Sequence, residues 1–445
     1  MIKRVFWVAL FTGLSHLISL ITISYIIREL GEETSGYLGV IDSTMMVVAS
    51  IISFGIQLAV NRNVATKTSW KSNYKLGQSA RFMLSLFVLV FGIVAYLIDG
   101  DLSNLIYCYA PLVALNGDYA LYGNGKPIVA ASLSFLRVAL PNIGILVTGS
   151  FFGPEVLYVY VLLLALGIFL AGVISANVNH VSYFFLPRKN FVKFYFKYLK
   201  VGIYQVTSVL IVTGVLVIAN WFYSIVLIGL INGLLKILII YKGGLRIIVQ
   251  TFFKEIKLPG TSQKIDKASI LAWGAISIPV IIFYDTTLHL LFDTTYDEYL
   301  LLLPLLGFIM LLSAFRNSAE AKALIEKKDN LNLYVFISAL VIEILVMAIF
   351  SVTDYKIWGI PFGFFIGEII LVAGLGIGLG KHHFFWNRLI FLIKLSPVLA
   401  ICGLLRFFIG ANLYVLLACL ALYVVWIVVF YRKLVFESLT KELAA

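Results

Sequence analysis

From Val5 to Phe430 the chain is a succession of apolar segments separated by short breaks. Each is close to the roughly 20 residues that an α-helix needs to cross the hydrocarbon of a bilayer. Few folds can accommodate that pattern. Hydrocarbon offers backbone N–H and C=O groups no water, so each segment must satisfy its own backbone by winding into a helix. With 61% hydrophobic residues, 13% charged residues and a mean hydropathy of +1.01, no stretch is left over for a soluble domain. The expected fold is therefore an all-α integral membrane protein.

Fourteen segments are expected (12 to 14 allowing for the tightest turns): Val5–Ile27, Tyr37–Val60, Phe82–Ile98, Leu105–Leu121, Pro127–Gly149, Glu155–Asn177, Gly202–Asn220, Tyr223–Tyr241, Ala268–Phe292, Tyr299–Asn317, Leu331–Ser351, Trp358–Gly380, Leu389–Gly410 and Asn412–Phe430. The seventh and eighth are joined by the tight turn NWFYS. The basic opening MIKR precedes an apolar run too long for a signal peptide and without a small-x-small cleavage site, so it is read as the first span. Lysine and arginine collect at the breaks on the side of the N-terminus, including Lys3, Arg4, Arg62, Arg81, Lys242, Lys257 and Lys328, whereas the opposite breaks hold Arg28 and Lys356. By the positive-inside rule both termini are cytoplasmic, and the net charge of +12 reflects topology, with no need of nucleic acid.

Two features suggest an internal repeat. Long basic breaks follow the second and the eighth segments, and Pro111 and Pro304 lie at matching depths in the fourth and tenth. Six segments is an even number, so the halves share one orientation, as in parallel repeats related by an axis along the membrane normal. The expected organisation is a six-helix lobe over residues 1–180, a basic amphipathic cytoplasmic linker over 181–201 and a second six-helix lobe over 202–380. Two further helices and a cytoplasmic tail fill 381–445. In the linker, Lys193, Lys197 and Lys200 recur at helical spacing among Phe and Tyr, which suits a helix lying on the inner leaflet against anionic headgroups.

Charges inside the spans are the candidates for function, because they are costly there. Arg137 stands about ten residues from either end of its segment. Arg316 and Lys394 lie within about a turn of inner ends, Lys236 slightly deeper and Arg406 near an outer end, all within reach of the interface by snorkelling. Among the acids, Asp42, Asp118 and Asp285 are nearer the ends, and Glu343 and Glu368 are central. Two readings of Arg137 stay open: a structural pair with Glu343 or Glu368, or a cation that holds an anionic group in a water-filled cavity. Substrate contacts are expected at Arg137, Arg62, Lys236 and Arg316, and coupling to a proton, sodium or the membrane potential at Glu343, Glu368 and Asp42. Pro111, Pro141, Pro279, Pro304, Pro361 and Pro397 fall in or at the start of spans, where a missing backbone bond is tolerated beside protein or water.

Other motifs carry no chemistry. GNGKP at 123–127 lacks the spacing of a phosphate loop, and GLGIGLG lacks the strand of a dinucleotide fingerprint. The five histidines are scattered, so no metal or other cofactor is expected, and Cys108, Cys402 and Cys419 lie within spans. No outer loop is large enough for a catalytic domain, so no enzyme is expected.

Arg28, Leu30, Gly31, Gly36, Tyr37, Gly55 and Arg62, in the stretch ISYIIRELGEETSGYLGV…GIQLAVNRNVA, follow the pattern around the first two spans of the Wzx-type polysaccharide flippases, in the multidrug/oligosaccharidyl-lipid/polysaccharide (MOP) exporter superfamily. The stretch LHLLFDTTYDEYLLLLPLLGFIMLLSAFRN resembles that family's ninth-to-tenth span region. The resemblance implies two six-helix lobes around a central cavity open alternately to each side. It also implies a short oligosaccharide on undecaprenyl diphosphate as substrate, moved from the cytoplasmic to the periplasmic leaflet of a bacterial inner membrane. Membrane lipids, and a polysaccharide polymerase with its chain-length machinery, are the implied partners. A drug or cation antiporter of the same superfamily and a membrane polysaccharide polymerase or ligase are the alternatives. The family's minimum is twelve spans; the two extra helices are shared with its lipid II flippases.

Overall fold

The computed structural model describes residues 2–56, 70–100, 102–185, 191–252, 261–292, 299–326, 328–380 and 382–431. Within them every regular element is helical: α1 Ile2–Tyr25, α2 Glu32–Ser53, α3 Trp70–Asp99, α4 Ala110–Leu115, α5 Tyr119–Gly123, α6 Pro127–Phe152, α7 Val156–Asn179, α8 Phe191–Lys197, α9 Leu199–Val212, α10 Val215–Ala219, α11 Ile225–Phe252, α12 Thr261–Ser277, α13 Tyr284–Phe292, α14 Leu302–Ile325, α15 Asp329–Ser351, α16 Gly359–Gly378, α17 His382–Ile409 and α18 Leu413–Phe430. The protein is thus all-α. Among the described residues, eleven helical stretches are long and apolar enough to cross a membrane, one of them, Pro127–Asn179, holding both α6 and α7. The remaining two of the fourteen expected segments are broken in two, as α4 with α5 and as α9 with α10.

Helices outrun the expected spans wherever a charge at their end has an internal partner. α3 starts at Trp70, not Phe82; α11 runs on to Phe252, past Tyr241; α14 runs to Ile325, past Asn317. Hydropathy ends a span at the first cluster of charge, whereas a helix ends where its backbone bonds do.

The chain packs as two compact units, Lys3–Gly233 and Leu234–Ala445, which divide within α11. In the first unit, α2 crosses the start of α11 at backbone contact. A Cβ on Gly36 would lie 2.1 Å from the carbonyl oxygen of Ile225, and one on Gly229 would lie 1.7 Å from that of Glu32. The crossing is sealed by Ser35 Oγ donating to the Gly229 carbonyl (2.8 Å) and Asn232 Nδ2 donating to that of Ser35 (2.9 Å). At the far end of α2, Phe54 and Gly55 take positive φ and stop the helix, and the Gly55 N–H donates to Gln205 on α9 (2.9 Å). In the second unit, α15 and α16 pack tightly, α16 also packs on α14, and α17 and α18 cover α12 through Phe391, Leu395, Cys402, Cys419 and Tyr423.

Candidate functional site

The fourth expected segment is interrupted by Asn116-Gly117-Asp118. Asn116 Oδ1 accepts from the Asp118 N–H (3.1 Å), an Asx turn, and Gly117 lies against the Tyr74 hydroxyl with no room for a side chain. The break frees helix carbonyls in a buried place, where each must find a donor. Two residues of α3 supply them. Arg81 donates to the carbonyls of Val113 (2.9 Å) and Asn116 (2.8 Å), and Gln78 Nε2 to that of Leu115 (3.2 Å). Gln78 Oε1 in turn accepts from Arg81 (2.6 Å) and from the Tyr119 hydroxyl (3.0 Å), and the Arg81 guanidinium stands 5.2 Å from the Tyr119 ring centroid. Arg81, read from sequence as one more basic loop residue, is 1% exposed.

Asp118 thereby arrives beside α6, where it pairs with Arg137 at 2.7 Å. This corrects the expected structural alternative: the carboxylate facing Arg137 is Asp118, from the same unit, and not Glu343 or Glu368. The pair is open, with side chains 30% and 13% exposed. Asp42 on α2 accepts a hydrogen bond from the Tyr160 hydroxyl on α7.

The second unit gathers charge more densely. Glu368 on α16 is fully buried and is held from two sides. Arg316 of α14 donates Nε to Oε2 (2.7 Å) and Nη2 to Oε1 (3.3 Å), and Lys242 of α11 donates to Oε1 at 2.8 Å. Arg316 also pairs with Glu320 one turn on, and lies 5.6 Å from the ring centroid of Phe336; Lys242 lies 5.7 Å from that of Phe364. Arg316 therefore does not snorkel, as expected from its place near a span end: α14 continues two turns beyond it, and its partner is internal. Glu343, central in α15, lies alongside on the α15–α16 seam. A Cβ on Gly363 would meet its Cγ at 3.2 Å and one on Gly367 would lie 3.8 Å from its Oε2. It is 0% exposed, and neither carboxylate oxygen has a hydrogen-bond partner.

Of the residues singled out from sequence, the fold thus joins Arg316 to Glu368, with Glu343 on the neighbouring seam, and gives Arg137 and Asp42 separate partners. Lys236 is half-buried in α11, six residues before Lys242, and Arg62 lies outside the described residues. Sequence reading missed Lys242 and Arg81, both assigned to loops. It also missed the pairs Arg388–Asp266 (2.7 Å, with Ser318 at 2.9 Å from Arg388) and Arg406–Asp285 (2.9 Å). A usable signal existed for Lys242, since the stretch around it keeps helical spacing through YKGGLRII. None existed for Arg81, whose partners are backbone carbonyls. Among the described residues, no group of three or more His, Cys, Asp or Glu converges to hold a metal ion.

These features sit on a fold already seen in membrane transporters. No family model and no curated protein sequence matches the chain. Solved structures do, by backbone. The lipid II flippase MurJ in an inward closed conformation superposes with a TM-score of 0.66 at 14% identity, covering 96% of this chain and 99% of that one. An inward-facing multidrug resistance MATE family transporter of the MOP superfamily gives 0.61 at 16% identity, covering 87% and 96%. A MOP superfamily transporter from Pyrococcus furiosus, described as having a binding pocket of reversed polarity, gives 0.55 at 16% identity, covering 88% and 96%. The chain therefore has the MATE/MOP-like fold.

Proposed function

We propose that the protein is a flippase that moves an oligosaccharide linked to undecaprenyl diphosphate from the cytoplasmic to the periplasmic leaflet of a bacterial inner membrane. The observation that carries this reading is the fold likeness to a lipid II flippase over 96% of the chain. The flippase-like residues around Arg28, Gly36 and Gly55 support it independently. Its mechanism is alternating access by two six-helix lobes, residues 1–180 and 202–380, with both termini cytoplasmic and no covalent chemistry.

Arg137 is the first candidate for the diphosphate. Its present partner is a single, partly exposed carboxylate, and a diphosphate offers the guanidinium more acceptor oxygens in the same planar geometry. Arg62 and Lys236 are assigned to the same anionic substrate. Arg316, by contrast, is already engaged by Glu368 and Glu320, so its contribution is to hold the second unit together rather than to meet substrate first. Coupling to a proton, to sodium or to the membrane potential is assigned to Asp42, Glu343 and Glu368. Membrane lipids, a polymerase and its chain-length machinery are the proposed partners.

The test is complementation of a flippase-deleted strain, scored by surface glycan with membrane levels matched. Intact protein should restore export, Arg137→Ala should abolish it and Arg137→Lys should restore part. Normal export by Arg137→Ala removes the arginine from the substrate site, and no export by the intact protein overturns the flippase reading. The MATE family likeness favours one second reading, a drug or cation antiporter, which predicts raised resistance to cationic dyes in place of restored glycan.

A further inference from the structure

Among the described residues of the charged cluster in the second unit, two buried side chains lack hydrogen-bond partners, the Tyr241 hydroxyl on α11 and the Glu343 carboxyl, and of the two only Glu343 is an acid that can carry charge at neutral pH. It lies on a seam made by glycines, and both its oxygens lack hydrogen-bond partners. An isolated carboxylate in such surroundings is strongly disfavoured, and the remedies are a proton or a cation at hand. A hard metal cation would need about six oxygen ligands, and among the described residues no group of three or more His, Cys, Asp or Glu converges at this carboxyl. A proton needs no more than Glu343 itself.

The charges that bear on it come from each neighbouring element. α16 presents Glu368, α14 presents Arg316 and Glu320, and α11 presents Lys242; Lys356, in the turn beyond the end of α15, is exposed. Lys242, Arg316, Glu320 and Glu368 sum to zero, so the group is neutral when Glu343 carries its proton. The two cations differ in how they could respond if that proton left. Arg316 grips both oxygens of Glu368 and also Glu320, in a planar fork. Lys242 makes one bond to Glu368, through a compact ammonium on a flexible stem. Lys242 can therefore leave Glu368 without stranding it, because Arg316 still neutralises it.

We infer that Glu343 is an exchangeable proton site, and that its proton decides which of two carboxylates, Glu368 or Glu343, holds Lys242. With the proton in place, Lys242 stays on Glu368, the arrangement seen here. When the proton passes to water, Glu343 becomes the carboxylate without a partner and Lys242 moves to it, while Arg316 keeps Glu368. The ammonium loses no proton in the exchange, and the net charge of the group falls by one. Because Lys242 belongs to α11, and Glu343 and Glu368 to α15 and α16, the exchange changes which pair of helices is tied together. The role of this exchange in transport rests on the flippase reading; the proton site does not.

The test needs no substrate, so it can fail or succeed apart from the export assay. Infrared spectra of the full-length protein in lipid nanodiscs should contain, at neutral pH, the carbonyl stretch of a protonated carboxylic acid. Glu343→Gln should remove that band, and Asp329→Asn, at the start of the same helix and outside the proposed site, should leave it. Glu368→Gln should also remove it, because the freed Lys242 then pairs with Glu343. The double variant Glu368→Gln/Lys242→Gln, which strands no lysine, should bring it back. Absence of the band in the intact protein, or its survival in Glu343→Gln, overturns the proton site. Loss of the band on adding sodium at fixed pH assigns the site to a metal cation and overturns it equally. A band that persists in Glu368→Gln overturns the exchange of Lys242.

Discussion

The two units each hold an arginine–carboxylate pair, yet they embed it differently. In the first unit, Asp118 reaches Arg137 because its segment is broken, and the pair stays partly open at 30% and 13% exposure. In the second, Glu368 meets Arg316 and Lys242 from three unbroken helices, and Glu368 is 1% exposed. A half-open pair can be competed for by a ligand at little loss, because water or phosphate replaces what is given up. A closed one is costly to disturb, since a charge left there must be re-paired by protein groups alone, without water or ligand. The difference separates a pair open to competition by an anion from a set of charges that ties helices together.

Single substitutions can break or sharpen that contrast. The largest effect is expected from Glu368→Ala, which breaks two buried pairs at once, leaving Arg316 with Glu320 alone and drawing Lys242 onto Glu343 at the expense of that residue's proton. Removing one partner of a buried pair costs about 3–5 kcal/mol, read as a fall in melting temperature and in membrane abundance. Arg81→Met comes next. It belongs to the first unit but is closed, and it strands the carbonyls of Val113 and Asn116, at about 2–3 kcal/mol in all. If Arg81→Met is as mild as a change at Arg137, the distinction lies between units and not between open and closed pairs. Arg316→Lys should cost less, about 1–2 kcal/mol, since a lysine keeps the charge but not the two-oxygen grip on Glu368. The smallest effect is expected from Asp118→Asn, within about 1 kcal/mol because Arg137 is partly solvated. A loss of stability at Asp118→Asn as large as that at Glu368→Ala would erase the contrast altogether.

Much of this could be read from sequence, and the reason is the solvent. Hydrocarbon forces every span to be helical, so the order of segments from Val5 to Phe430 followed from apolar length alone. That Arg137, Glu343 and Glu368 stand near the middle of their helices was legible for the same reason. What was not legible was pairing. Nothing in the pattern says that Asn116-Gly117 would turn Asp118 toward Arg137, or that α14 would run on past Arg316 and bring it to Glu368. Lys242 and Arg81 were assigned to loops because hydropathy treats a charge as an edge, whereas a charge with an internal partner can lie inside a helix. The glycines at 36 and 229 show the converse. Gly36 was noted as part of a family-like pattern, and its physical reason, a carbonyl 2.1 Å from where a Cβ would be, appears once α2 and α11 are seen to cross.

The Arg81 contacts bear on how the chain is made as well as on how it rests. α4 and α5 are six and five residues long, and the carbonyls freed between them are capped by side chains from the preceding helix. Alone in lipid, the fourth segment would expose those carbonyls, and α3 would expose a guanidinium. Each therefore satisfies what the other would leave exposed, and the two are at rest in a bilayer only as a packed hairpin, so a single arginine makes one insertion unit of two neighbouring segments.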